Sequence, residues 1–148
     1  MLRLDQLLVK LGRCESRAQA QRIIKEGRVE ILQNDWIIIN KPSINLSEDT
    51  PLRITPDESD QYVSRGALKL KAGLDLRNIR VDDAVAIDVG QSTGGFTDLL
   101  LQRGAKKVVG IEVGQDQLPE KLRCDPRVIC LEKYNARNLS IDLLVHTE

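Results

Sequence analysis

The residue types that could do chemistry are concentrated in one short stretch. Asp88 closes the β-branched run 85–89, and Gly90, Gly94 and Gly95 follow it, with Gln91, Ser92 and Thr93 between. Glycines let a backbone approach a ligand, and a helix predicted over 96–102 would present free N–H groups at its start. A strand, a glycine-rich turn and a helix open a nucleotide-type site. The spacing here is G-x-x-x-G-G, whereas the dinucleotide fingerprint G-x-G-x-x-G seats a pyrophosphate on the helix. A carboxylate two residues before the first glycine suits a cation better than a phosphate. S-adenosylmethionine carries an ammonium, a sulfonium and a ribose, and no phosphate, so it is the expected cofactor. A dinucleotide-binding (NAD) half-domain is the lower alternative, and a tight turn without a ligand is the plainest one. Glu112 lies 22 positions beyond Gly90, where an acid at a strand end can hold both ribose hydroxyls.

These residues need a scaffold, and the surrounding pattern supplies one. Apolar β-rich runs over 85–89, 108–112, 127–131 and 141–145 alternate with helical patterns over 96–102 and 117–122. Pro119 is tolerable only in the first turn of the latter helix. Such alternation predicts an α/β fold with a partial Rossmann-like parallel sheet, strand order 3-2-1-4. A further helix starts near 62–70 with Ser64 as its expected N-cap. Residues 55–61 are polar and without apolar period. The domains are therefore read as 1–56, a linker 57–63, and 64–148.

The first domain reads as a small α+β module. Leu4, Leu7, Leu8 and Leu11 line one helical face over 2–11, and Gly12 stops it. Ser16 with Gln19 resembles a capping box for a second helix ending at Gly27. Strands follow over 29–32 and 36–39, joined by Gln33-Asn34-Asp35, where a tight hairpin would use positive φ. A further strand covers 52–54. The net charge of the 148 residues is zero, yet residues 1–28 hold seven bases against three acids. Such a local excess can steer a polyanion.

Cys14, Cys124 and Cys130 are odd in number and have no C-x-x-C spacing, and His146 is the only histidine. Neither a disulfide framework nor a metal site is expected. No signal peptide or long apolar span is seen, so a cytoplasmic protein without membrane association is the expectation.

Two family resemblances rest on specific phrases. Arg3-Leu4-Asp5-Gln6-Leu7-Leu8, Ser16-Arg17-Ala18-Gln19-Ala20 and Ile24-Lys25-Glu26-Gly27-Arg28-Val29 resemble the S4 RNA-binding domain. The resemblance implies an RNA-facing surface of Arg3, Arg13, Ser16, Arg17, Lys25 and Arg28, with Lys41 beside them. Tyr62-Val63-Ser64-Arg65-Gly66-Ala67-Leu68-Lys69-Leu70 together with the Asp88 turn resembles the TlyA (hemolysin A-like) family. That family comprises S-adenosylmethionine-dependent ribose 2′-O-methyltransferases of ribosomal RNA with an FtsJ-like catalytic domain. It implies ribosomal RNA or ribosomal subunits as partners. It also implies a cofactor site of Asp88, Gly90, Ser92, Thr93, Gly94, Gly95, Glu112 and Val113, with Glu132 and Asn135 near the adenine. Against that pattern Gln91 is long for the first turn, and its amide would crowd the methionine end of the cofactor.

The family uses a Lys-Asp-Lys-Glu catalytic set, of which Lys69 matches the first lysine. Thr147 stands where the aspartate is expected, and the remaining two would lie beyond residue 148. The expectation is the cofactor-binding half of a methyltransferase, truncated before its catalytic aspartate. A non-catalytic RNA-binding remnant is the alternative. An uncovered sheet edge would also invite self-association.

Overall fold

The computed structural model describes residues 1–142. The chain divides into two compact units, Met1–Asp57 and a second beginning at Glu58.

In the first unit, α1 (Leu4–Lys10) and α2 (Arg17–Lys25) bury Leu4, Leu7, Leu8, Ala20, Ile23 and Ile24. They share one core with Val29, Ile31 and Leu46. Ser16 caps α2 by accepting from the Gln19 amide at 3.1 Å, and Gln19 Oε1 accepts the Glu15 amide at 2.7 Å. The Gln19 amide is an orphan donor of the first turn and the Glu15 amide lies just before the cap, so the pair fixes where the helix begins. Strands β2 (Val29–Leu32), β3 (Trp36–Ile39) and β5 (Leu52–Ile54) form an antiparallel sheet of order β3-β2-β5. On its outer face Arg53 forks onto Glu30 at 2.7 and 3.0 Å and lies 4.3 Å over the Trp36 ring.

Two expectations for this unit are corrected. The helix does not begin at residue 2, because Leu2 and Arg3 form β1 and pair with Leu46 and Asn45 of β4 (Asn45–Leu46). That non-local partner satisfies the backbone in extended form up to the helix. Nor do Asn34 and Asp35 take positive φ. The register pairs Leu32 with Trp36, so three residues span the turn and the demand of a two-residue primed turn disappears.

The second unit is a parallel sheet of order β6-β7-β8, formed by Val85–Val89, Lys107–Ile111 and Val128–Leu131. Read from the far edge this is the 3-2-1 part of the expected order. α3 (Gly66–Leu76) precedes the sheet, α4 (Gly95–Gln102) links β6 to β7, and α5 (Glu120–Arg123) links β7 to β8. Leu99, Leu100, Leu101, Val108, Leu118 and Leu122 form the core with Ala67 and Leu74 from α3. Val108, Val109 and Ile111 are all buried, as the apolar run of a central parallel strand requires. β6 is an edge among the described residues, and Val85, Ile87 and Val89 are 58%, 42% and 59% exposed.

Here too the structure corrects detail. α3 is preceded by Arg65, not capped by Ser64, and has no side-chain cap bond. α5 starts only after Pro119 and is shorter than expected. Within the polar stretch 55–61, Glu58–Gln61 forms a 3-10 turn with Ser59 buried. Ile141 and Asp142, the start of the expected fourth strand, are helical. The rest of that strand and Thr147 lie outside the described residues.

Candidate cofactor site

β6 delivers Asp88 to the floor of the glycine turn, where its carboxylate is only 7% exposed. Thr97 Oγ1, in the first turn of α4, donates to Asp88 Oδ2 at 2.7 Å. Gln91 Nε2 in turn donates to Thr97 Oγ1 at 2.9 Å. Burial raises the Asp88 carboxyl above its ordinary range, against the Thr97 hydrogen bonds, and the nearby Glu112 pushes the same way. Among the described residues this desolvated carboxylate has no cationic side chain beside it.

The turn is held open by backbone geometry. Gly90 and Gly94 take φ of 72° and 87°, and Ser92 joins them at 52°. A Cβ at Gly90 would meet nothing within 4 Å, so that backbone faces open space. Gly94 and Gly95 are glycines for a different reason. A Cβ at Gly94 would meet Leu118 and Leu122 at 2.6 Å, and one at Gly95 would overlap Ser64 Oγ and crowd the Ala67 amide. The pocket encloses about 280 Å³, just below the roughly 300–1,000 Å³ usual for small-molecule sites. Its lining is Ser64, Gly66, Asp88, Val89, Gly90, Gln91, Ser92, Thr93, Gly95 and Phe96, without a lysine or arginine.

The expected residues fall into three groups. Asp88, Gly90, Ser92, Thr93 and Gly95 line the pocket, and Gly94 shapes the turn from behind. Glu112 reaches the turn: one carboxylate oxygen accepts the Ser92 amide and the other Gln117 Nε2, both at 3.3 Å. Val113 is 69% exposed and outside the lining. Glu132 and Asn135 are engaged elsewhere. Glu132 pairs with Arg123 at 2.6 Å, which lowers its carboxyl, and Asn135 caps the short turn Ala136–Asn138. Lys69 is exposed on α3, one turn beyond the pocket residue Gly66.

Three features escape the sequence pattern. Ser64 and Gly66 line the pocket, and Thr97 holds Asp88. Gln91 borders the pocket, yet its amide turns inward to Thr97. Its side chain is 4% exposed and occupies the space where a Cβ of Gly110 would stand. The one available signal is Gly110 itself, a glycine inside an otherwise β-branched strand.

In the first unit, Arg13, Lys25 and Lys41 are exposed. Arg3 and Arg17 both bond to the buried Asp5. Two members of the expected surface have structural engagements. Ser16 is the α2 cap, and Arg28 is buried, its Nε donating to the Thr55 carbonyl at 2.9 Å and its Nη1 pairing with Glu26 at 3.3 Å.

The family model described as FtsJ-like methyltransferase matches residues 62–147, which contain the whole pocket, and that of the S4 domain matches residues 2–50. The chain belongs to the FtsJ-like methyltransferase family. TlyA and hemolysin A proteins are among its relatives. The 16S/23S rRNA (cytidine-2′-O)-methyltransferase TlyA of Mycobacterium tuberculosis is 44% identical over 138 residues, 93% of this chain and 50% of that protein. Hemolysin A of Brachyspira hyodysenteriae is 35% identical over 142 residues, 96% of this chain and 57% of that one. A solved structure of a "putative hemolysin" from Streptococcus thermophilus superimposes with a TM-score of 0.64 at 41% identity, covering 97% of this chain and 52% of that one. The FtsJ-like chain thus spans about half the length of the curated relatives it matches. Among the described residues no helix is long and apolar enough to cross a membrane, and no cluster of metal-ligating side chains is found.

Proposed function

We propose that this chain binds structured ribosomal RNA through its first unit and S-adenosylmethionine through its second, as part of ribose 2′-O-methylation. One observation carries the cofactor reading: among the described residues a buried carboxylate, Asp88, lies without a cationic side chain on the floor of a glycine-walled pocket with no basic lining. Those residues fit S-adenosylmethionine. Asp88 and Glu112 disfavour a pyrophosphate, so NAD is the poorer ligand, while an ammonium or sulfonium balances the desolvated charge. When bound, the cofactor supplies an electrophilic methyl group. The chain's own part is to orient it: the Gly90 turn admits it closely, and Glu112 offers acceptors for ribose hydroxyls. Calorimetry tests this directly. S-adenosylmethionine should bind with a favourable signal while NAD gives none, and the reverse order would overturn the assignment.

For the RNA, the exposed Arg13, Lys25 and Lys41 and the half-exposed Arg3 and Arg17 supply phosphate contacts. The position of Lys69 favours a second, narrower reading, in which these 148 residues bind both ligands without transferring methyl. A ribose hydroxyl is a very weak acid, and a lysine that assists its attack needs partner charges to hold it. Among the described residues Lys69 is exposed and has no ion pair. General-base help is worth about 10²–10⁴ in rate, so this chain should transfer no detectable labelled methyl to unmodified ribosomal subunits. Turnover that disappears in Lys69→Ala would overturn the narrower reading and leave the binding reading standing.

A further inference from the structure

Asp5 in α1 is fully buried, and its two oxygens accept five hydrogen bonds. Oδ1 accepts from Arg3 Nε at 3.1 Å and from the Gln6 amide at 3.0 Å. Oδ2 accepts from Arg3 Nη2 at 3.0 Å, Arg17 Nη2 at 3.1 Å and Gln21 Nε2 at 2.8 Å. The Arg3 guanidinium, with Gln21 and Arg17 adding to it, holds the carboxyl well below the usual carboxylate range. A buried carboxylate is tolerated only when so fully satisfied.

What distinguishes this node is the state of the two arginines. Their side chains remain 41% and 52% exposed. A guanidinium has five N–H donors. Asp5 takes two from Arg3 and one from Arg17, so both forks keep donors for a second anion. Their rotamers are also fixed before any ligand arrives, which removes an ordering cost from binding. Two guanidiniums on one carboxylate leave a local excess of one positive charge.

We propose that Asp5 is a positioning residue for RNA: it holds Arg3 and Arg17 as a preformed pair of forks for backbone phosphate. The proposal rests on reading the first unit as RNA-binding. Its distinguishing consequence is a sign. Asp5→Asn removes a negative charge, so if the arginines acted only as charges it would tighten RNA binding. If Asp5 positions them, the same substitution weakens it.

The experiment titrates the whole 148-residue chain against labelled, deproteinised ribosomal RNA at several salt concentrations. Asp5→Asn should bind about tenfold more weakly, the scale of one charge-assisted hydrogen bond. Arg17→Lys keeps the charge but loses the fork, and should weaken binding to a similar extent. Asp5→Asn should also flatten the log–log salt dependence by about 0.7–0.9 for each phosphate left unneutralised, which a change in stability alone would not do, while Arg17→Lys, which keeps its charge, should weaken binding at a nearly unchanged slope. Circular dichroism at the titration temperature checks folding. Should Asp5→Asn unfold, Arg17→Lys carries the test, because Arg17 is half exposed. Equal or tighter binding by folded Asp5→Asn, or wild-type behaviour of Arg17→Lys, would overturn the proposal while leaving the RNA reading intact. Arg3→Ala/Arg17→Ala binding as well as wild type would likewise overturn the proposal alone, whereas a wild-type chain with no salt-sensitive binding would sink the RNA reading and the proposal with it.

Discussion

Gly110→Ala should destabilise the second unit by about 1–3 kcal/mol, the usual cost of overpacking a filled interior. A Cβ at that position overlaps the Gln91 amide, so that buried side chain must leave its slot and give up its hydrogen bond to Thr97 Oγ1. The effect should be strongly non-additive. Gln91→Ala vacates the slot, so Gly110→Ala/Gln91→Ala should be more stable than either single change would lead one to expect. Denaturant unfolding of the four proteins gives the cycle. Purely additive losses would mean that Gln91 does not occupy that slot in solution. Gly90→Ala is a useful contrast, because nothing lies within 4 Å and only its φ of 72° penalises a side chain.

Asp88→Asn should move stability and affinity in opposite directions. Burial raises the Asp88 carboxyl in the folded state, so between its unfolded and folded titration points the folded chain holds the extra proton. Stability therefore falls as pH rises through the folded value, and at neutral pH the ionised carboxylate opposes folding. Asparagine keeps an acceptor for Thr97 Oγ1, which donates to Asp88 at 2.7 Å, and removes the buried charge. Added stability at neutral pH is expected, because the variant no longer carries the charge that burial disfavours. Affinity for S-adenosylmethionine should drop about tenfold to a hundredfold, since hydrogen bonds to charged groups are worth about 1.5–3 kcal/mol. Thermal melts and calorimetry on one sample pair read both. A variant that binds the cofactor as well as wild type would remove Asp88 from the site. Sites that trade stability for function in this way are common where charge is desolvated.

Much of the architecture is legible because it follows local rules. The β-branched runs form β2, β3, β6 and β8 where expected, and Ser16 with Gln19 marks the start of α2. The glycine turn is visible as a pocket wall because three of its residues, Gly90, Ser92 and Gly94, need left-handed backbone. What is not legible depends on distant partners. Leu2 and Arg3 look helical until Leu46 and Asn45 are placed beside them. Arg28 reads as a surface base until Thr55 and Glu26 claim it. The ion pair of Glu132 with Arg123, nine residues earlier and 2.6 Å away, is likewise unmarked in the sequence. Gln91 is the clearest instance: its direction is set by an absent side chain on the neighbouring strand.

The Arg53–Trp36 stack has a practical consequence. Trp36 is the chain's only tryptophan, and it belongs to the first unit. With the Arg53 guanidinium 4.3 Å from its centre and about a third of its surface exposed, its emission is sensitive to whether β3 and β5 stay registered on β2. Fluorescence excited at the red edge, where tyrosine is silent, therefore reports the melting of the first unit alone, while far-ultraviolet dichroism sums both. The chain thus carries a native spectroscopic label for one of its two halves, and no dye or engineered reporter is needed to learn whether they unfold together.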